Sequence, residues 1–321
     1  VSTVAAGHDG APPPAALRSW LFVPGDSERK QARALATAAD ALILDLEDSV
    51  DSQQLPAARG RVRELLRSRP TASHPQLWVR INPPAGQFWR DDLEALLGAD
   101  AVGHTPDGIV VPKVSSPQEI AMLSERLAQL EARCGIRAGD TRLLVIATET
   151  PQGVLALPQY PAVLGAAPAA ASRLAGLTWG VEDLGTALGV LGRRDPSGAL
   201  TFTFQLARSA CLLTAAALGV PAIDSVHVDF RDAQGLKREL DEARRDGFSG
   251  KLAIHPEQVP VINAAFVPTA VECAQARRIV AAFAAAGGAG VASLDGQMID
   301  RPHLIQAQRI LAAAARTDGG S

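Results

Sequence analysis

Short apolar runs that turn polar at their carboxyl ends recur along this chain and set its predicted architecture. The clearest is Leu143-Leu144-Val145-Ile146-Ala147-Thr148-Glu149-Thr150-Pro151. It is too short to cross a bilayer, β-branched enough for a strand buried on both faces, and closed by one carboxylate and a proline. The same form appears at residues 18–25, 41–48, 76–82, 108–113 and 174–183, and shorter runs at 219–224 and 251–256 complete a set of eight. Helical segments lie between them: from a cap at Asp26 or Ser27 to about Ala39, from about Gln53 to Ser68, from a cap at Ser115 or Ser116 to Arg133, and from about Asp232 to Asp246. Eight strands alternating with helices over residues 18–266 predict an α/β fold, a (β/α)8 TIM barrel. Periodicity alone also permits an open doubly wound sheet. An open sheet gathers its site at one switch point, however, whereas here polar residues close nearly every strand.

The flanks differ from this pattern. Residues 1–17, with three consecutive prolines and no positively charged leader, read as a disordered tail. Beyond Phe266 come an Ala-rich helix from about Thr269 to Ala286, a glycine-rich break over residues 287–290, the compact motif Leu294-Asp295-Gly296-Gln297-Met298-Ile299-Asp300, and a helix to about Arg316. This predicts a C-terminal helical lid extension over residues 267–321, hinged at the glycines.

Composition narrows the function. Hydrophobic residues make up 47% of the 321 positions and charged ones 20%, enough apolar material for a large core. The net charge of −3, with 31 basic residues scattered among 34 acids, offers no basic stripe and argues against nucleic acid, while small anions need only a local cluster. Cys134, Cys211 and Cys273 are far apart, so each is expected to be a buried apolar residue in a reducing cytoplasm. The charge-free apolar segment Ser209 to Ile223 is short of a bilayer and broken by Gly and Pro, so no membrane association is predicted.

Glu149 and Asp183 close adjacent predicted strands, and their carboxylates could meet around Mg2+, which takes hard oxygen ligands and leaves positions for water and substrate. Capping of the following helices accounts for the same two acids equally well. Arg80, closing the third strand, suits a carboxylate or a developing oxyanion, but a salt bridge to the acids Asp45, Glu47 and Asp48 is the stronger reading of its position. His8, His74, His227 and His255 show no paired spacing suited to zinc. Dinucleotide, Walker-type and Gly-x-Ser-x-Gly motifs are missing, which removes the usual marks of nucleotide-dependent chemistry and serine hydrolysis.

Seven motifs in order carry a resemblance: Arg18-Ser19-x-Leu21-Phe22-Val23-Pro24-Gly25, Asp45-Leu46-Glu47-Asp48-Ser49-Val50, Val79-Arg80-Ile81-Asn82, Pro112-Lys113, Glu149-Thr150-x-x-Gly153, Gly180-x-x-Asp183-Leu184 and Ala253-Ile254-His255-Pro256-x-Gln258. Over roughly residues 18 to 315 the chain resembles the citrate lyase β-subunit-like family, which includes malyl-CoA, citramalyl-CoA and citryl-CoA lyases. The resemblance implies a TIM barrel assembled as trimers or hexamers that binds Mg2+ and makes or breaks carbon–carbon bonds in CoA thioesters of 3-hydroxy acids. It implies Glu149 and Asp183 as metal ligands, Glu149 also beside the substrate, and Arg80 facing the thioester oxygen. Phe22 and Arg33 would contact the CoA portion. Asp300 matches the acid that longer members supply from a C-terminal lid, typically to a neighbouring subunit's site. The position after Gly25 where some members carry Arg is not basic here. The alternatives on the same scaffold are a CoA-ester thioesterase and a citrate lyase subunit working with acyl-carrier and transferase subunits. From another class comes a non-catalytic binding subunit, against which the intact Arg80, Glu149 and Asp183 weigh.

Overall fold

A computed structural model describes residues 17–69, 75–98, 101, 103–287 and 290–318. Residues 1–16 of the predicted tail, and His74 in the loop before the third strand, lie outside the described residues. Eight parallel strands close into a barrel in chain order: β1 Ser19–Pro24, β2 Ala41–Asp45, β3 Gln76–Arg80, β4 Gly108–Val111, β5 Arg142–Ile146, β6 Leu174–Thr178, β7 Ala222–Asp224 and β8 Gly250–Ala253, which pairs back to β1. The closed sheet, not the open one, is what the strand ends foretold.

Closure explains the unbroken apolar runs. Alternate side chains fill the barrel, among them Trp20, Ile43, Trp78, Val110, Leu144 and Leu252. Their neighbours, including Leu42, Leu44, Val79, Ile109 and Val145, pack outward under the helices, so both faces of each strand are buried. Trp20 and Trp78 meet edge to face at 5.0 Å, and Gly108 makes room for them, since a Cβ there would stand 2.2 Å from the Trp78 ring.

The first four strands are followed by α1 Glu28–Leu35, α2 Leu55–Arg67, α3 Trp89–Leu97 and α4 Pro117–Cys134. After β5 come three short helices, α5 Pro151–Ala156, α6 Tyr160–Gly165 and α7 Pro168–Ala171. After β6 come α8 Val181–Leu188 and α9 Phe202–Leu218, and α10 Ala233–Asp246 and α11 Gln258–Ala265 follow β7 and β8. Periodicity did not reveal α9 because Arg208 is its one charged residue and is buried, leaving no charged face to contrast with an apolar one.

Residues 267–318 form a separate unit. In it, α12 Ala270–Ala285 begins with a capping box between Thr269 and Glu272, and α13 Arg301–Asp318 packs on it. Between these helices the motif expected as part of a helical lid is a β-hairpin, β9 Val291–Leu294 with β10 Gln297–Asp300. Its turn residues Asp295 and Gly296 both have positive φ, 52° and 76°, the requirement that favours Asp-Gly in two-residue hairpins. All three cysteines are buried and free, and no helix among the described residues is long and apolar enough to cross a membrane.

Candidate active site

Phe22, Asp45 and Arg80 stand two residues beyond the inward-facing Trp20, Ile43 and Trp78, so strand alternation aims all three at the barrel mouth. Asp45 and Arg80 are also register partners across β2 and β3. Arg80 Nε and Nη2 therefore donate to the two Asp45 oxygens at 2.6 and 2.7 Å, a bidentate pair. Arg80 Nη1 lies 2.8 Å from Glu47 Oε2, an ion pair lacking hydrogen-bond alignment, and the guanidinium sits 4.8 Å over the Phe22 ring. The salt bridge expected for Arg80 is present, and it fixes the plane of a guanidinium that also lines the central cavity. Burial opposes ionisation of Asp45, but the Arg80 charge and its hydrogen bonds outweigh that and hold Asp45 below the usual carboxylate range. Glu47 is less well served. Burial, with Asp48 beside it, pushes its carboxyl up to about 7 despite Arg80 and Lys113.

Glu149 does not cap the helix that follows it. Thr150 does, accepting from Gly153 N at 2.9 Å, while Glu149 Oε2 accepts from Lys113 N at 2.5 Å. Gly153 is demanded by close approach, since a Cβ there would stand 2.5 Å from the Val114 carbonyl oxygen. Gly180 is demanded more strictly, because its Cβ would stand 2.2 Å from Glu149 Cγ. Glu149 is buried, and that burial, reinforced by the negative charges of Asp183 and Glu47, raises its proton affinity well above the ordinary value. Asp183 stands in the first turn of α8, whose N-cap Gly180 has no side chain to cap with, so an acid there also suits the helix end. Glu149 and Asp183 thus converge across the ends of β5 and β6, as their spacing allowed.

Lys113 ties these acids together. Its ammonium donates to Asp48 at 2.8 and 3.0 Å, contacts Glu47, and lies 3.3 Å from Asp183 Oδ1. The Pro112-Lys113 motif carried no role in the sequence reading, because a lysine's reach across three strand ends depends on barrel closure.

Phe22, Arg80, Glu149 and Asp183 all line one cavity of about 740 Å3 at the carboxyl ends of the strands. Its rim includes Arg29 and Lys30 beside the expected Arg33, three exposed cations on α1. Sequence reasoning looked for a basic residue directly after Gly25 and missed Arg29 and Lys30, which the helical phase brings to the same rim. Among the described residues no group of three or more His, Cys, Asp or Glu side chains is spaced to hold a metal ion. A cation at Glu149 and Asp183 would therefore rest on two carboxylates. Hard oxygens, local excess negative charge and an open cavity fit Mg2+, which keeps water and substrate ligands. Two further site features were not foreseen: His255 stacks on Phe230 at 4.4 Å, and Trp179 lines the cavity with its Nε1 donating to Asp224 at 2.7 Å. Asp300 belongs to the other unit, at the end of β10, where its Oδ1 lies 2.5 Å from His303 Nδ1.

A family model described as HpcH/HpaI aldolase/citrate lyase matches residues 18–256. The chain is 36% identical over 300 residues to a (3S)-malyl-CoA thioesterase of Cereibacter sphaeroides (strain KD131), covering 93% of this chain and 94% of that one. It is 33% identical over 304 residues to a mitochondrial citramalyl-CoA lyase of Rattus norvegicus, covering 92% and 86%. Among solved structures, CitE of Mycobacterium tuberculosis in complex with magnesium, acetoacetate and coenzyme A matches with a TM-score of 0.72 at 34% identity, covering 94% of this chain and 99% of that one.

Proposed function

Because the chain belongs to the HpcH/HpaI aldolase/citrate lyase family, we propose that it is a Mg2+-dependent lyase that makes or breaks the carbon–carbon bond of a CoA thioester of a 3-hydroxy acid. The observation that carries this reading is the meeting of Glu149, Asp183 and Arg80 around one cavity with a cationic rim. Glu149 and Asp183 are the residues that would hold Mg2+, whose contribution when bound is Lewis-acid polarisation of the oxygens on the acid portion.

The chain's own residues supply the rest. Arg29, Lys30 and Arg33 present positive charge where CoA phosphates enter, and Phe22 offers an apolar face between rim and floor. In cleavage the 3-hydroxyl gives up its proton to water in the open cavity and becomes a carbonyl as the bond between C2 and C3 breaks, and the electrons of that bond pass into a thioester enolate. Arg80, immobilised by Asp45, faces that oxyanion with a charge that burial does not remove. Asp300 is the acid that protonates the enolate carbon, and in condensation the base that takes the proton back, with His303 as its orienting neighbour.

A screen of malyl-, citramalyl- and citryl-CoA, with Mg2+ present and with it chelated, tests the reading. A lyase yields acetyl-CoA and a keto acid only with Mg2+; no turnover of any of the three would reject it. The thioesterase relative at 36% identity supports a second reading, in which the same site directs water at the thioester. Free CoA and an intact hydroxy acid would mark that outcome.

Self-association belongs to the same proposal. The exposed face of α9 carries Phe202, Leu206 and Leu213 and no charged residue, and Leu155 and Leu191 are exposed as well. A second copy of the chain is the occupant proposed for this face, giving a homo-oligomer. Leu213→Glu should lower the mass measured by light scattering, and a wild-type monomer would reject the assembly.

A further inference from the structure

Lys113 has no part in the reaction just described, yet its backbone is held where lysine rarely goes. Among the described residues, Lys113 and Asp295 are the non-glycine positions with positive φ, and Asp295 occupies a hairpin turn. At φ 52° the Lys113 Cβ crowds the backbone, a conformation that persists only where the surroundings enforce it. Two sets of contacts enforce it here. The amide N–H holds Glu149 Oε2 at the end of β5, while the ammonium bridges Glu47 and Asp48, which follow β2, and Asp183 in α8. Arg80, the other cation facing these acids, is committed to Asp45 and Glu47. Lys113 is therefore the cation with which Asp183 pairs, and it is planted beside both proposed metal ligands.

We propose that Lys113 is the resident counter-ion of this acid cluster and that it sets the affinity of the metal site by competing for Asp183. The inference rests on Glu149 and Asp183 being the Mg2+ ligands, and it assigns Lys113 a positioning role: its amide presents Glu149, and its ammonium keeps the bare site weak. The ion is then held firmly only when oxygens of the substrate's acid portion add to the two carboxylates, which couples metal loading to substrate loading.

Lys113→Gly separates the two roles. Glycine adopts φ 52° without strain and keeps the amide, so the substitution removes the side chain with its ammonium and leaves the N–H that holds Glu149. Calorimetric titration of the full chain with MgCl2, in the absence of any CoA ester, should give a dissociation constant about tenfold lower or better than wild type, as expected when a neighbouring positive charge is deleted. The gain should shrink as NaCl is raised, since screening weakens the repulsion that the lysine supplied. Lys113→Arg retains a cation and should stay close to wild type. Lys113→Met carries the comparison should the glycine variant fail to fold. Unchanged or weaker Mg2+ binding by the charge-deleted variant, with wild type binding the ion, would overturn the role of Lys113 and leave the lyase reading standing. A wild-type chain that binds no Mg2+ would overturn both.

Discussion

Gly180→Ala probes the placement of Glu149 without altering any charged group. A methyl carbon at Gly180 would stand 2.2 Å from Glu149 Cγ and 3.1 Å from Cδ. Non-bonded carbons rest at about 3.5 Å or more, so the side chain must retreat by roughly 1 Å. Little space is available: Glu149 is 4% exposed, and its Oε2 is pinned 2.5 Å from Lys113 N. Under the role proposed for Glu149, a shift of that size costs on the order of 100-fold in rate. Overpacking of this kind costs about 1–3 kcal/mol, and at about 2–4 °C per kcal/mol the melting temperature should fall by about 2–12 °C. The assay is steady-state turnover of the preferred CoA ester over a range of Mg2+ concentrations, run beside thermal melts. The expected result is a folded protein with kcat down about 100-fold and a raised Mg2+ requirement. Gly60→Ala serves as the control. It lies in α2 with nothing within 4 Å of its added Cβ, so it should be neutral or stabilising by about 0.5–1 kcal/mol. A Gly180→Ala enzyme with wild-type kcat and Mg2+ dependence would refute the claim that the observed position of Glu149 matters to the chemistry.

Three further predictions use other parts of the site. Arg80→Lys keeps the charge but cannot form two parallel bonds to Asp45, so kcat should fall about 100-fold and stability by about 1–3 kcal/mol; a fully active lysine variant would remove Arg80 as the oxyanion partner. Glu47, raised to about 7 by burial, holds its proton in the folded chain at pH values where the unfolded chain has lost it. Its contribution therefore favours folding at low pH and is lost as pH rises from about 4.5 to about 7, by on the order of 3 kcal/mol. Glu47→Gln should flatten that part of the stability curve in denaturant titrations, and an unchanged slope would show that Glu47 is not the group responsible. Asp300→Asn should slow exchange of the acetyl-CoA methyl protons about 100-fold or more, whereas exchange at the wild-type rate would exclude Asp300 from proton transfer.

Much of the barrel was legible because its information is local. Each of the eight runs declares a buried parallel strand within its own few residues, and Leu143 to Pro151 needs no distant partner to be recognised. The turn of the C-terminal hairpin is legible in Asp295-Gly296, but the short segments around it, Val291–Leu294 and Gln297–Asp300, lack a clean apolar–polar alternation to mark them as strands. The helix α9 was not legible, since its one charged residue, Arg208, is buried and its exposed face carries no charge.

By itself the sequence determined the strand set, the end of the barrel at which polar side chains gather, and the residue types available there: two acids and an arginine on separate strand ends. Tertiary structure decided which of them touch. Register made Asp45 and Arg80 a bidentate pair, and closure let one lysine reach acids beyond β2 and β6. Packing against Gly180 buried Glu149 beside Asp183 and raised its proton affinity. Strand periodicity is a property of neighbours along the chain. Charge pairing, backbone strain at Lys113 and the energy of a buried carboxylate depend on distances between segments that are remote in sequence, and only the folded chain sets those distances.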